Sequence, residues 1–396
     1  MRNFLPFLFV MALLSTGEAT LKIYPFFFVL FVCFYLLSGF KLKRSLVFPV
    51  LSFVIVATIF ALINIGKSFD LVSQVKLVIN LLFLISAGSY LQSISSRKSL
   101  SLLRVSSCIF ILLSFVQSFL IVATNSLWLL PLGLEDSTSS YVVQESIIYF
   151  GEQSKNIWAS KISIFFIIFC CCQYLENKRS AIYKVTYTCA IFGLVYVNSR
   201  TAQLATIFFL LVMVLYHFWF VKKQRFILVL LGVLLLPVLF YTLQKIIRID
   251  YEVLLNFSPE FGAHMGDGLL SRLIIWSHVL NSTELTDYIF GNGVLSFSYY
   301  TGGIFVENNP HNIFLSVILD FGVLSFCLYV YMLYSLFRGN VFTHLLFAPF
   351  LVFANSQYLG YDSDLAIYFL LLVAMQDYFS KSGLTIVAGK RTASAT

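Results

Sequence analysis

Twelve apolar stretches punctuated by polar connectors constrain this chain more than any other feature. They run over residues 4–16, 21–38, 46–65, 71–91, 101–123, 157–175, 181–197, 201–220, 226–243, 312–336, 341–357 and 363–379. Of the 396 residues 59% are hydrophobic and only 11% charged, whereas a soluble globule carries about 25% charged residues and needs them to cover its surface. A bilayer asks for runs of this length, about 20 residues per helix, and admits helices because they satisfy their own backbone. The expected fold is therefore all-α: one polytopic membrane bundle over residues 1–396, with about twelve transmembrane helices.

The first stretch follows Arg2 and is short enough to suggest a signal peptide, but "STGEATLK" offers no small-residue cleavage site, so it reads as a short helix. The seven cysteines (33, 108, 170, 171, 172, 189 and 327) all fall inside apolar stretches without histidine partners, which predicts neither a disulfide nor a metal site. The formal charge is +8. Its basic residues are scattered among short connectors, which argues against a nucleic-acid partner and for a topology signal.

Placing the N-terminus in the cytoplasm puts Arg2, Lys41, Lys43, Arg44, Arg97, Lys98, Arg104, Lys178, Arg179, Lys184, Lys222, Lys223, Arg225, Arg338, Lys381, Lys390 and Arg391 inside. Only Glu176 and Asp377 among the acidic residues join them. The alternation predicts cytoplasmic termini and two sizeable outer loops, 124–156 and 244–311, the second containing short helices such as "SRLIIWSHVL" and "QKIIRIDYEVLLNF". Long loops in compact domains often carry function.

The residues able to do chemistry gather on that outer side. Arg200 opens a span in "VNSRTAQLATIFF", where Ser199 or Thr201 can cap the helix and its first amides can join the guanidinium in attracting an anion such as a diphosphate. Snorkelling explains the same arginine without function. Arg272 and Trp276 stand four apart and share a helix face; they read as an interfacial anchor, or as a phosphate ligand beside a sugar-stacking ring. Arg248 is a further basic candidate, with Asp250 as its neighbour. In "NNPHNIFLSVILDFGVLSF", Pro310 is expected to start a helix capped by Asn308 or Asn309, holding His311 and Asn312 at the outer face. Neutral His311 can accept a proton from a hydroxyl. Asp320 lies nine residues on, roughly 13 Å deeper along a helix, where it must meet protein or water: a glycan contact or a packing contact. His264 and His278 show no metal-ligand spacing, and "GNG" at 291–293 and "GG" at 302–303 read as turns.

In this order "SRTAQLA", "SRLIIWSHVL" with "YIFGNGVLSF", and "NPHNIFLSVILDFGVLSF" resemble the O-antigen ligase and O-antigen polymerase superfamily of bacterial membrane glycosyltransferases, over much of residues 190–336. The resemblance implies transfer of an undecaprenyl-diphosphate-linked saccharide at the periplasmic face of the inner membrane, without metal or cofactor. It implies Arg200, Arg272 and His311 as catalytic residues, the arginines on the donor diphosphate and His311 at the acceptor. Arg248, Trp276, Asn312 and Asp320 are then candidate substrate contacts. Partners would be the lipid-linked glycan and membrane lipids, with a flippase and a chain-length regulator as protein partners. Aromatic spans and the second outer loop tilt the expectation toward polymerisation of glycan repeats, with ligation to lipid A-core as the alternative. A transporter or flippase would bind the same lipid but should show symmetric halves, and no repeat is visible here. A noncatalytic assembly component would leave the three outer cationic or titratable residues without a role.

Overall fold

A computed structural model describes residues 2–17, 23–65, 67, 70–125, 155–177, 180–197, 199–222, 269–297, 310–355 and 360–381. The segment 226–243, Arg248, His264, Asn308, Asn309, most of the loop 124–156 and much of 244–311 lie outside these residues. The described helices are α1 (Leu5–Ser15), α2 (Tyr24–Leu37), α3 (Arg44–Ile63), α4 (Leu71–Ser93), α5 (Ser96–Asn125), α6 (Lys155–Glu176), α7 (Ala181–Val197) and α8 (Arg200–Tyr216). They continue with α9 (Leu269–Ser282), α10 (Leu285–Phe290), α11 (Ile313–Phe337), α12 (Val341–Leu345), α13 (Phe347–Ala354) and α14 (Ser363–Lys381).

The all-α membrane bundle is as expected; the count of about twelve spans is not. Among the described residues six helices are long and apolar enough to cross a membrane: Arg44–Ile63, Leu71–Ser93, Ser96–Val116, Asn156–Glu176, Arg200–Trp219 and Ile313–Phe337. Four further apolar helices, Arg2–Ser15, Tyr24–Leu37, Ala181–Val197 and Val341–Ala354, have only 10–17 residues. At about 1.5 Å per residue they fall short of a ~30 Å hydrocarbon core. The C-terminal α14 has the length but carries Asp364, Asp377 and Lys381. Apolar runs in sequence thus overcounted the helices that qualify.

Packing follows from aromatic and small side chains. α11 lies along α3, α5 against α6 and α7, α4 between α2 and α14, and α8 against α13. Phe28 stacks on Phe83 with ring centroids 3.8 Å apart and Phe110 on Phe165 with centroids 3.9 Å apart, all four rings buried in the core. Gly88 lets α4 approach α3: an added Cβ would lie 2.5 Å from Leu46 Cδ2. Ile55, Ile59, Leu113, Val116, Ile191, Val195, Leu204 and Ile207 are exposed apolar side chains facing away from the core, as a lipid-facing surface requires.

Polar connectors collect at two ends of the bundle. At one end Arg2 Nε donates to Ser38 O (3.2 Å), Ser96 Oγ to an Asp377 oxygen (2.8 Å), and Gln376 Nε2 to Arg338 O (2.8 Å). Arg104 and Glu176 form a buried ion pair near that end, with the guanidinium 5.2 Å from the Tyr183 ring centre. At the other end Lys161 Nζ donates to Thr16 O (2.9 Å), Lys67 Nζ to Asn292 Oδ1 (2.8 Å), and Asn80 Nδ2 to Tyr361 O (2.8 Å).

Candidate functional site

The second of these ends holds those residues singled out for chemistry that are described; Arg248 lies outside the described residues. Helix α9 carries Arg272 and Trp276 one turn apart, as their spacing requires. Helix α11 begins at Ile313, later than the proline suggested. The cap is Asn312, whose Oδ1 accepts from Leu315 N at 2.9 Å, so Pro310 and His311 precede the helix, with a bend at His311. His311 is 2% exposed and has φ +51°, in the left-handed region that a non-glycine residue seldom occupies.

Hydrogen bonds join these two elements. Trp276 Nε1 donates to Pro310 O at 2.6 Å. Arg272 Nη1 donates to Asn355 O, also at 2.6 Å, and Asn312 Nδ2 donates to Asn355 Oδ1 at 2.9 Å. Asn355, at the end of α13, is thereby shared by the arginine and by the His–Asn turn. The Trp276 ring packs beside Ile275, Val279, Phe297 and Leu319. One donor of Arg272 serves a carbonyl, and the rest of its five-donor fork retains its capacity for an anion.

Arg200 reaches the same end by a different route. It is exposed at the first turn of α8. The expected serine cap does not form: Ser199 Oγ donates to Asn156 Oδ1 at 2.8 Å, and no side chain caps the helix. Its first amides are therefore not satisfied by a cap, which suits an anion. Helices α8 and α13 pack together, and Tyr216 at the far end of α8 stacks on Phe342 at the start of α12 with centroids 4.6 Å apart. α8 thus runs antiparallel to the α12–α13 pair, which brings Arg200 to the end where α13 delivers Asn355.

Asp320 lies two residues before a break in its helix. Helix α11 breaks at Gly322 (φ +76°, ψ 174°), and the carbonyls released by the break receive the "GNG" turn: Asn292 N donates to Leu319 O at 2.9 Å and Gly293 N to Asp320 O at 3.0 Å. The Asp320 carboxylate, 3% exposed as a residue, accepts from Ser296 N (2.9 Å) and Ser296 Oγ (2.8 Å). Lys67 bridges Asp287 and Asn292 from the end of α3. Of the two readings open for Asp320, the geometry gives it a packing contact that anchors the turn after α10. Asn355, Ser296 and Lys67 were not singled out in sequence; each is a single polar residue in a connector, with partners 24 to 225 positions away.

Residues 185–330 match the family model described as O-antigen ligase, a stretch that includes Arg200, Arg248, Arg272, Trp276, His311, Asn312 and Asp320. No curated protein and no solved structure matches the chain.

Proposed function

We propose that this member of the O-antigen ligase superfamily transfers a saccharide from a lipid-linked diphosphate donor to an acceptor hydroxyl at a membrane surface. The observation that carries the reading is the union of Arg272 and the His311–Asn312 turn through Asn355, within and beside the matched segment. In the reaction the acceptor oxygen forms a bond to the anomeric carbon while the bond from that carbon to the phosphate oxygen breaks. The polyprenyl diphosphate leaves. Arg272 and Arg200 stabilise the charge gathering on it, and neutral His311 takes the hydroxyl proton. Burial of His311 removes it from bulk water, which favours a defined proton path over exchange with solvent.

Sequence had tilted the acceptor toward a second lipid-linked repeat. The description of the matched family favours the alternative, ligation to lipid A-core, with polymerisation the second reading. The donor is undecaprenyl-diphosphate-linked, the membrane the bacterial inner membrane, and the reacting face periplasmic. Arginine charge stands where other transferases use a metal, so activity should survive chelation by EDTA. Reconstitution with a defined lipid-linked glycan, with and without lipid A-core, tests the assignment. Ligation yields a core-linked product only when the core is present. A ladder of longer lipid-linked glycans without core would favour polymerisation, and intact donor moved across the bilayer would make the protein a transporter.

A further inference from the structure

We infer that Trp276 and Asn355 are positioning residues that clamp His311 in its left-handed conformation, ready for the acceptor. The inference rests on the transferase reading above. A non-glycine residue in the left-handed region is strained, and it persists only where its surroundings over-determine it. Here both peptide neighbours are gripped. On one side the Pro310 carbonyl accepts the Trp276 indole N–H at 2.6 Å. On the other, Asn312 is fixed twice, its Oδ1 capping Leu315 N at 2.9 Å and its Nδ2 bound to Asn355 Oδ1 at 2.9 Å. His311 is the hinge between two pinned residues, with φ +51° as the consequence.

The two grips come from different places. Trp276 belongs to α9 and its ring is wedged against Ile275, Val279, Phe297 and Leu319. Asn355 is itself oriented by Nδ2 donation to Leu351 O at 2.9 Å, and its own carbonyl holds Arg272. One clamp therefore sets the spacing between the arginine that meets the leaving group and the histidine that meets the nucleophile. Trp276 acts through its N–H in this arrangement, which differs from both the interfacial-anchor and the sugar-stacking readings of its spacing.

Trp276→Phe separates those two roles, since phenylalanine keeps a ring face and loses the N–H. Asn355→Leu removes the acceptor for Asn312 and keeps the Asn355 backbone carbonyl for Arg272; Asn355→Asp restores an acceptor. Turnover and donor KM are measured in the reconstituted transfer assay, with thermal unfolding as the control for folding and His311→Ala in parallel. The expected result is a fall in kcat of about tenfold or more for Trp276→Phe and Asn355→Leu at little-changed donor KM, with Asn355→Asp nearer the parent. In a His311→Ala background Trp276→Phe should have no further effect, because the residue acts through His311. Parental kcat in folded Trp276→Phe and Asn355→Leu, alongside a slow His311→Ala, overturns the clamp and leaves the transferase reading standing. Parental turnover in His311→Ala overturns both. An equal loss from Trp276→Phe with and without His311 also overturns the clamp, since it marks a purely structural role. Should Asn355→Leu fail to fold, the Trp276→Phe arms decide.

Discussion

Arg272 and Arg200 differ in how firmly they are held, and that difference predicts how each responds to lysine. The Arg272 guanidinium is fixed on Asn355 O by one donor and presents the others in a planar fork, whereas Arg200 is exposed at the open N-terminus of α8. Lysine keeps the charge but has no fork, so Arg272→Lys should lower turnover by about 10²-fold, the scale of losing one preorganised donor. Arg200→Lys should be milder and act mainly on donor KM, because the α8 amides remain. Steady-state kinetics on the two variants checks both, and parental kinetics for Arg272→Lys would remove it from the reacting centre. The helical spacing of Arg272 and Trp276 and the polar-to-apolar boundary at His311 were legible in sequence. Asn355 was not, because it binds Arg272 across 83 residues of chain and sits among residues that carry no motif.

Helix ends and breaks show why some elements read cleanly and others did not. α7 appears where its apolar run predicted it, and α4 begins where Asp70 caps it, the carboxylate accepting from Val72 N (3.1 Å) and Ser73 N (3.2 Å). The break in α11 was invisible because "LDFGVLSF" is as apolar as an unbroken span, and a lone glycine is tolerated in helices. Its meaning lies in the partner: an added Cβ at Gly322 would lie 2.2 Å from Ile289 O, and one at Gly291 2.4 Å from Asp320 O. Gly322→Ala should therefore unseat the turn after α10 and destabilise by more than the ~1–2 kcal/mol of left-handed strain alone, read as a drop in thermal midpoint in detergent. An unchanged midpoint would mean that the turn is not anchored at the break. Asp70 supplies a pH-dependent counterpart. Its carboxyl is held below the ordinary aspartate value, first by the Ser73 hydroxyl and then by the capping amides and Lys76, against partial burial. The cap's contribution is thus complete above the unfolded-state value and is lost as pH falls through the lowered folded-state value. Asp70→Ala should cost about 1 kcal/mol at neutral pH, and the gap between the two melting curves should close in acid.

At the scale of the whole molecule, the partition of connectors between two ends carries the functional argument. One end gathers Arg2, Lys41, Lys43, Arg44, Arg97, Lys98, Arg338 and Lys381 beside few acids, and the other gathers Arg200, Arg272, His311 and Asn355. The connector charges were legible because each is a local count. The number of qualifying helices was not, since 14- and 17-residue apolar helices look like spans until their length is measured against a bilayer. The positive-inside tendency predicts that the basic end faces the cytoplasm, an orientation that under the proposed function would bring the other end to donors in the periplasmic leaflet. Labelling decides this with two positions. Cys33 and Cys327 are the exposed native cysteines and are replaced first, leaving Cys108 half-buried and Cys170, Cys171, Cys172 and Cys189 buried. Leu285, 76% exposed at the start of α10, is changed to cysteine in one variant, and exposed Lys222, beyond α8, in another. A membrane-impermeant maleimide added to intact cells with a permeabilised outer membrane should modify Leu285→Cys and spare Lys222→Cys until the inner membrane is opened. The reverse pattern would place Arg272, His311 and Asn355 in the cytoplasm, away from any glycan already flipped across the membrane, and the periplasmic transfer reaction would have no substrate there.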